Sequence, residues 1–221
     1  MSRPLIVWTI VVAGGSGTRF GRPKQYELIG DERVLDRSVR VASSVSDGVV
    51  IVVPAADADR EGGVAGGSTR SDSVRAGLAA VPGEADVICV HDAARPFASG
   101  ELFDRVIAAV ADGAAGAVPG IPVADTIKVV DANGTVVDTP ARSQLVAVQT
   151  PQAFRASTLR AVHASGGDAT DDAGLVEAAG EPVVVVAGEA GNRKITHPDD
   201  LCWARDQVAA EQISERDEEG M

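Results

Sequence analysis

Lysine is almost missing from this chain: Lys24, Lys128 and Lys194 are the three present, and arginine supplies the remaining cationic side chains. A lysine is a compact, mobile point charge, so each one is a candidate for a specific task. Positive charge is short overall, with 20 basic against 32 acidic residues and a formal net charge of -12. That balance argues against a nucleic-acid polymer as partner. It leaves room for a local basic pocket that draws in a small anion. Cysteine is scarce too. Cys89 and Cys202 show neither zinc-ligand spacing nor a disulfide pattern, which points to a reducing, cytoplasmic setting. No apolar run reaches membrane-spanning length, so no membrane is expected. The apolar stretch from Leu5 flows into a glycine loop without a separate cleavage segment, and reads as a first strand rather than a signal peptide. There is no internal repeat. The 221 residues suffice for one α/β domain with a sizeable core.

What is present is organised around residues 11–26. The Ile- and Val-rich run from Leu5 to Val12 predicts a fully buried strand. It ends at Gly14-Gly15-Ser16-Gly17, where bare backbone N–H groups can approach a ligand and form an anion nest. Arg19, Arg22 and Lys24 follow, with no acidic residue between Gly14 and Gln25. Strand, bare loop and three cations together describe a polyphosphate cradle. It is not a P-loop, because Lys24 lies between Pro23 and Gln25. Nor is it a dinucleotide fingerprint: Phe20 stands where glycine is needed, and Pro23 biases Arg22 away from helix. The loop therefore runs on past the glycines and carries Lys24.

Further along, residues 34–44 predict a helix and Gly48–Val53 a strand, followed by a loop from Pro54 to Gly67. Gly66-Gly67-Ser68-Thr69 leads into a helix with Ser71 or Asp72 as N-cap. The hydroxyls of Ser68, Thr69 and Ser73 serve either helix capping, the plainer reading, or a base edge. Val87–Val90 is a buried strand running into His91-Asp92-Ala93-Ala94-Arg95-Pro96. Strand ends of open α/β sheets carry ligand contacts. There Asp92 could hold Mg²⁺ on a triphosphate and Arg95 could clamp a phosphate; His91 reads as structural. A helix over 101–112 and an inner strand over 114–118 follow. Asn133-Gly134 between β-branched runs signals a hairpin, an arm over about 122–142. A two-stranded arm needs a surface to pack on, and a second copy of the chain is the economical supplier. A strand at 145–148, helices at 156–164 and 170–179, a strand at 182–186 and a last helix starting near Thr196 to Asp199 complete the domain, residues 1–213. Lys194 falls just before that helix, and 214–221 forms an acidic tail.

Taken together, these segments resemble the 2-C-methyl-D-erythritol 4-phosphate cytidylyltransferases of the non-mevalonate isoprenoid pathway. The likeness is carried by the Gly-Gly-Ser-Gly-Thr-Arg loop, Pro23-Lys24-Gln25-Tyr26, Arg70-x-Asp72-Ser73-Val74 and His91-Asp92-Ala93-Ala94-Arg95-Pro96. It continues through Asp125-Thr126-Ile127-Lys128, Gln149-Thr150-Pro151-Gln152, Thr170-Asp171-Asp172 and Asn192-x-Lys194-Ile195-Thr196. Each motif is short; their shared order makes the resemblance specific. It implies one Rossmann-like α/β nucleotidyltransferase domain with a mostly parallel sheet and a protruding, dimerising β-arm. It also implies transfer of CMP from CTP to methylerythritol phosphate with Mg²⁺. Arg19 and Lys24 match transition-state stabilisers; Arg142 and Lys194 match residues that position the sugar phosphate. Ala13, Gly14, Gly15, Gly17, Gly66, Gly67, Ser68, Ser73, Asp92 and Ala93 match the nucleotide site. Arg95, Thr126 and Thr150 match the second substrate's site, with Thr126 and Arg142 reaching across a dimer.

The chain departs from the family pattern at Gly14, where alanine is usual, and at Arg193, where an apolar residue is usual. The Gly-Gly form also resembles ribitol-5-phosphate cytidylyltransferases, which remain the alternative, as does a catalytically silent nucleotide sensor. A nicotinamide-dependent oxidoreductase is the weakest alternative, given Pro23 and the loop.

Overall fold

The computed structural model describes residues 3–15 and 20–219, with side chains described through residue 213. In chain order the elements are β1 (Val7–Val12), β2 (Leu28–Ile29), β3 (Glu32–Arg33), α1 (Val34–Val45), β4 (Gly48–Val53), α2 (Ala58–Glu61), β5 (Val64–Ala65), α3 (Arg70–Ala80), β6 (Val87–Asp92), α4 (Gly100–Ala111), β7 (Gly116–Pro122), β8 (Val129–Val130), β9 (Val136–Asp138), β10 (Val146–Val148), β11 (Gln152–Arg155), α5 (Ala156–Ala164), α6 (Asp172–Ala178), β12 (Val183–Ala187) and α7 (Pro198–Glu219).

Among the described residues the main sheet has eight strands, in the order β10-β7-β11-β6-β1-β4-β5, with β12 on the other edge of β7. β1 lies at its centre, parallel to β4 and to β6. β11 runs antiparallel to both β6 and β7, so β6 and β7 point the same way. The α/β architecture with a mainly parallel sheet is therefore as the resemblance implies, and the apolar runs are its buried strands. Strand side chains alternate between faces. Ile10 and Ile88 join one core with Val74 and Leu78 of α3 and Leu159 of α5. Val11 and Cys89 join the opposite core with Leu35 of α1 and Leu102, Phe103 and Val106 of α4. A third cluster gathers Phe20, Ile29, Val34 and Ile195 under Leu201, Ala204 and Val208 of α7.

Several local expectations change. The stretch from Pro54 to Gly67 is not a plain loop: it holds α2 and β5, the latter extending the sheet beside β4. The N-cap of α3 is Thr69 rather than Ser71 or Asp72. Thr69 Oγ1 accepts from the Asp72 N–H, and the Asp72 side chain accepts from the Thr69 N–H, a reciprocal box that leaves Asp72 inside the first turn. At α7 the capping carboxylate is Asp200, which accepts from the N–H groups of Thr196 and His197 at 2.8 Å each. That helix is continuous through Glu219. The hairpin forms as β8 and β9. The Asp131 carboxylate accepts from the N–H groups of Asn133 and Thr135, and Gly134 supplies the positive φ of +81° that closes the turn.

α3 lies close against the sheet because Gly77 has no side chain: a Cβ there would stand 2.6 Å from Ile10 Cγ2. Gly77→Val should lower stability by about 1–3 kcal/mol through overpacking, read as a lower urea midpoint with an unchanged slope; an unaltered midpoint would refute the tight contact. Burial pushes the Cys89 thiol up to about 12, whereas Cys202 is exposed. A thiol reagent at mildly alkaline pH should modify Cys202 alone in the native protein and both cysteines in denaturant. Rapid native labelling of Cys89 would show that β6 is not buried as described.

Candidate active site

The sheet's carboxyl edge opens into a cleft of about 470 Å³ between the turn after β1, the N-terminus of α3 and the end of β6. That volume lies in the range of small-molecule sites. One wall is backbone-rich, from Ala13, Gly14 and Gly15. The other is Gly67, Ser68 and Ser73. The expected hydroxyls are largely committed to the fold. Ser68 Oγ donates to Asp72 Oδ2 at 2.7 Å, and Ser73 Oγ donates to the Thr69 carbonyl at 3.1 Å while accepting from the Gly67 N–H. Glycine is required here by close approach: a Cβ at Gly67 would stand 2.2 Å from Asp72 Cβ. Gly66 lies behind the wall, its N–H donating to the Val53 carbonyl. Gly17 and Arg19 lie outside the described residues.

Asp92, Ala93, Lys24 and Lys194 also line the cleft. Lys24 Nζ donates to the Ile195 carbonyl at 2.6 Å, next to Lys194 in the chain. Lys194 Nζ is 2.5 Å from Asp92 Oδ2. Arg70 Nε reaches Asp92 Oδ1 at 3.4 Å. Burial alone would raise the Asp92 pKa. The charges of Arg70, Lys194 and Arg95 outweigh it and hold the carboxyl well below the usual range, so Asp92 is ionised.

A second cavity, about 200 Å³, shares Asp92, Arg70 and Lys194 with the first, and adds Arg95 and Thr150. The two spaces meet at those three charged residues. Thr150 is tied in by its neighbours: its Oγ1 accepts from the Asp92 N–H at 3.0 Å and donates to His91 Nδ1 at 3.1 Å. His91 Nε2 donates to the Arg95 carbonyl. Burial lowers the His91 pKa to about 4, so the ring is neutral and structural, as its place in the strand suggested.

Besides Gly66, two expected residues among those described are not brought to either cavity. Thr126 and Arg142 are exposed on the arm, where Arg142 Nη1 donates to the Ala124 carbonyl at 2.7 Å. Three residues were missed. Arg70 opens α3, where local pattern shows a helix start, yet its side chain lines both cavities. Gln149 and Asn192 hold the loop that bears Lys194. Gln149 Nε2 donates to the carbonyls of Glu189 and Asn192, and Asn192 Nδ2 donates to the Thr150 carbonyl.

A family model for IspD, 2-C-methyl-D-erythritol 4-phosphate cytidylyltransferase, matches residues 7–209. The 2-C-methyl-D-erythritol 4-phosphate cytidylyltransferase of Rhodococcus jostii is 46% identical over 90% of this chain and 93% of its own length. The bifunctional enzyme IspD/IspF of Nitratidesulfovibrio vulgaris is 43% identical over 88% of this chain, which spans only 56% of that relative. Among solved structures, 4-diphosphocytidyl-2C-methyl-D-erythritol synthase from Anaerococcus prevotii superposes with a TM-score of 0.83 at 31% identity, covering 93% of this chain and 96% of the other. The Thermus thermophilus 2-C-methyl-D-erythritol 4-phosphate cytidylyltransferase gives 0.79 at 34%, covering 93% and 100%. Sequence and fold agree over the same span, and the chain belongs to the IspD family of cytidylyltransferases.

Proposed function

We propose that this protein transfers CMP from CTP to 2-C-methyl-D-erythritol 4-phosphate, giving 4-diphosphocytidyl-2-C-methyl-D-erythritol and pyrophosphate, as a cytoplasmic homodimer. The observation that carries the reading is the junction of a glycine-walled cleft with a smaller cationic cavity at Asp92, Arg70 and Lys194. The larger space suits a nucleotide, the smaller one a polyol phosphate beside Arg95 and Thr150. The acceptor is already an anion, so no general base is required. A phosphate oxygen attacks the α-phosphorus, the bond to the β-phosphate oxygen breaks, and pyrophosphate leaves with that electron pair. The difficulty is bringing anions together, and preorganised cations meet it. Lys24, with Arg19, would stabilise the crowded phosphorus; Lys194 would pass from Asp92 to the acceptor phosphate and orient it.

Mg²⁺ is the expected cofactor. Among the described residues Asp92 is the one carboxylate lining the nucleotide cleft, and no group of three or more His, Cys, Asp or Glu forms a cage. A single carboxylate together with phosphate oxygens is a donor set suited to Mg²⁺, so Asp92 would be its protein ligand. Bound there, the ion supplies neutralisation of phosphate charge.

Exposed valines on the arm support the dimer. Val130, Val136 and Val137 are each more than half exposed, at 53%, 52% and 60%. A partner's arm would bring Thr126 and Arg142 to the acceptor cavity.

Pyrophosphate release with CTP and Mg²⁺ should occur with methylerythritol phosphate and not with ribitol 5-phosphate; the reverse preference would keep the chemistry and overturn the acceptor. Lys194→Ala and Arg142→Ala should each lower kcat by about two to three decades while the chains stay folded. Mixing the two inactive proteins and allowing subunits to exchange should restore activity, because one site of the mixed dimer then holds Lys194 from one chain and Arg142 from the other. Mixtures as inactive as their components would show that Arg142 does not act across the dimer.

A further inference from the structure

We infer that Arg70 is a positioning residue for the transfer reaction, acting on the acceptor side through Asp92 and Lys194. The inference rests on the cytidylyl-transfer reading and deepens it. Arg70 Nη1 donates to Asp172 Oδ2 at 2.6 Å, while Nε reaches Asp92 Oδ1 at 3.4 Å. Asp172 is buried, 1% exposed, and accepts from His163 Nε2 at 2.9 Å. Asp92 Oδ2 accepts from Lys194 Nζ at 2.5 Å. A continuous line therefore runs His163–Asp172–Arg70–Asp92–Lys194, from the helices α5 and α6 behind the sheet to the junction of the two cavities.

The order of charges along this line matters. A carboxylate in a half-dry site with one cationic partner binds that partner tightly, because the local dielectric is low. Arg70 shares the charge of Asp92. Lys194 is thereby oriented by Asp92 without being fully neutralised, and it can turn to an incoming phosphate. Asp172 in turn keeps Arg70 from leaving Asp92. Only a planar guanidinium reaches two carboxylates in fixed directions; an ammonium does not. One donor is left over: Arg70 Nη2 is buried with no hydrogen-bond partner among the described residues. The glycine wall of the nucleotide cleft does not depend on this guanidinium, since the N-terminus of α3 is held by Thr69, Asp72 and Ser68.

Steady-state kinetics on the full chain, with each substrate varied in turn, test the inference. R70K keeps the charge and loses the fork. It should lower kcat/KM for the acceptor about 10- to 100-fold and raise KM for CTP by a clearly smaller factor. The double variant R70Q/D172N removes one charge of each sign, so the buried charge stays balanced. It should show the same acceptor-side loss with a near-native Tm. Wild-type acceptor kinetics in either folded variant would overturn the positioning role and leave the cytidylyl-transfer reading standing. Equal losses for both substrates that track a lowered Tm would also overturn it, because Arg70 would then be only structural. A wild-type chain that releases no pyrophosphate with any acceptor would overturn both readings, and the wild-type arm of the experiment distinguishes that case.

Discussion

The site is built around a carboxylate taken out of water. Asp92 ends a strand buried along its whole length and is itself only 8% exposed. An ionised group in such a place must be matched by opposite charge and hydrogen bonds, or it is strongly destabilising. The match comes from three separate parts of the chain: Arg70 at the start of α3, Arg95 in the turn after β6, and Lys194 before α7. Satisfying Asp92 therefore requires those parts to converge. Their convergence creates the cationic junction between the two cavities.

The approach of Lys194 depends on packing as much as on charge. Ile195, the next residue, is fully buried with Phe20, Ile29 and Val34 under α7. Phe20 and Ile195 therefore share one apolar cluster, which anchors the Lys194 loop. The Lys24–Ile195 hydrogen bond closes the same link from the polar side. Arg193, unusual for the family, finds a place here: its guanidinium lies 4.4 Å from the Trp203 ring centroid, and Asp200 is within 3.6 Å. Arg193 thus contacts α7 by stacking its flat, weakly hydrated face on an aromatic ring.

The arm obeys a different constraint. Its strands pair with each other and not with the main sheet, and its valines face solvent. A two-stranded hairpin has too little surface to bury by itself. The same arm carries Thr126 and Arg142, two of the residues expected at the acceptor, on the element with the least core of its own.

Much of this was legible in the residues themselves. Continuous apolar runs mark the buried strands, because a strand covered on both faces has no polar side to show. The turn after β1, and the placing of Asp92, Arg95 and Thr150 at or near strand ends, follow from local pattern alone. So does the hairpin, since turn chemistry acts within a few residues. What the tertiary structure alone decided is pairing at long range. Arg70 meets a carboxylate 102 positions away, and Lys24 meets a carbonyl 171 positions away. Local patterns carry period and capping, and cannot say which of many carboxylates an arginine will reach. The choice of Thr69 over Ser71 or Asp72 as cap lies outside local pattern for a related reason: several neighbouring side chains could accept the same N–H groups. Charge and burial set the demand at Asp92 from its place in the strand, and the fold determined which cations answered it.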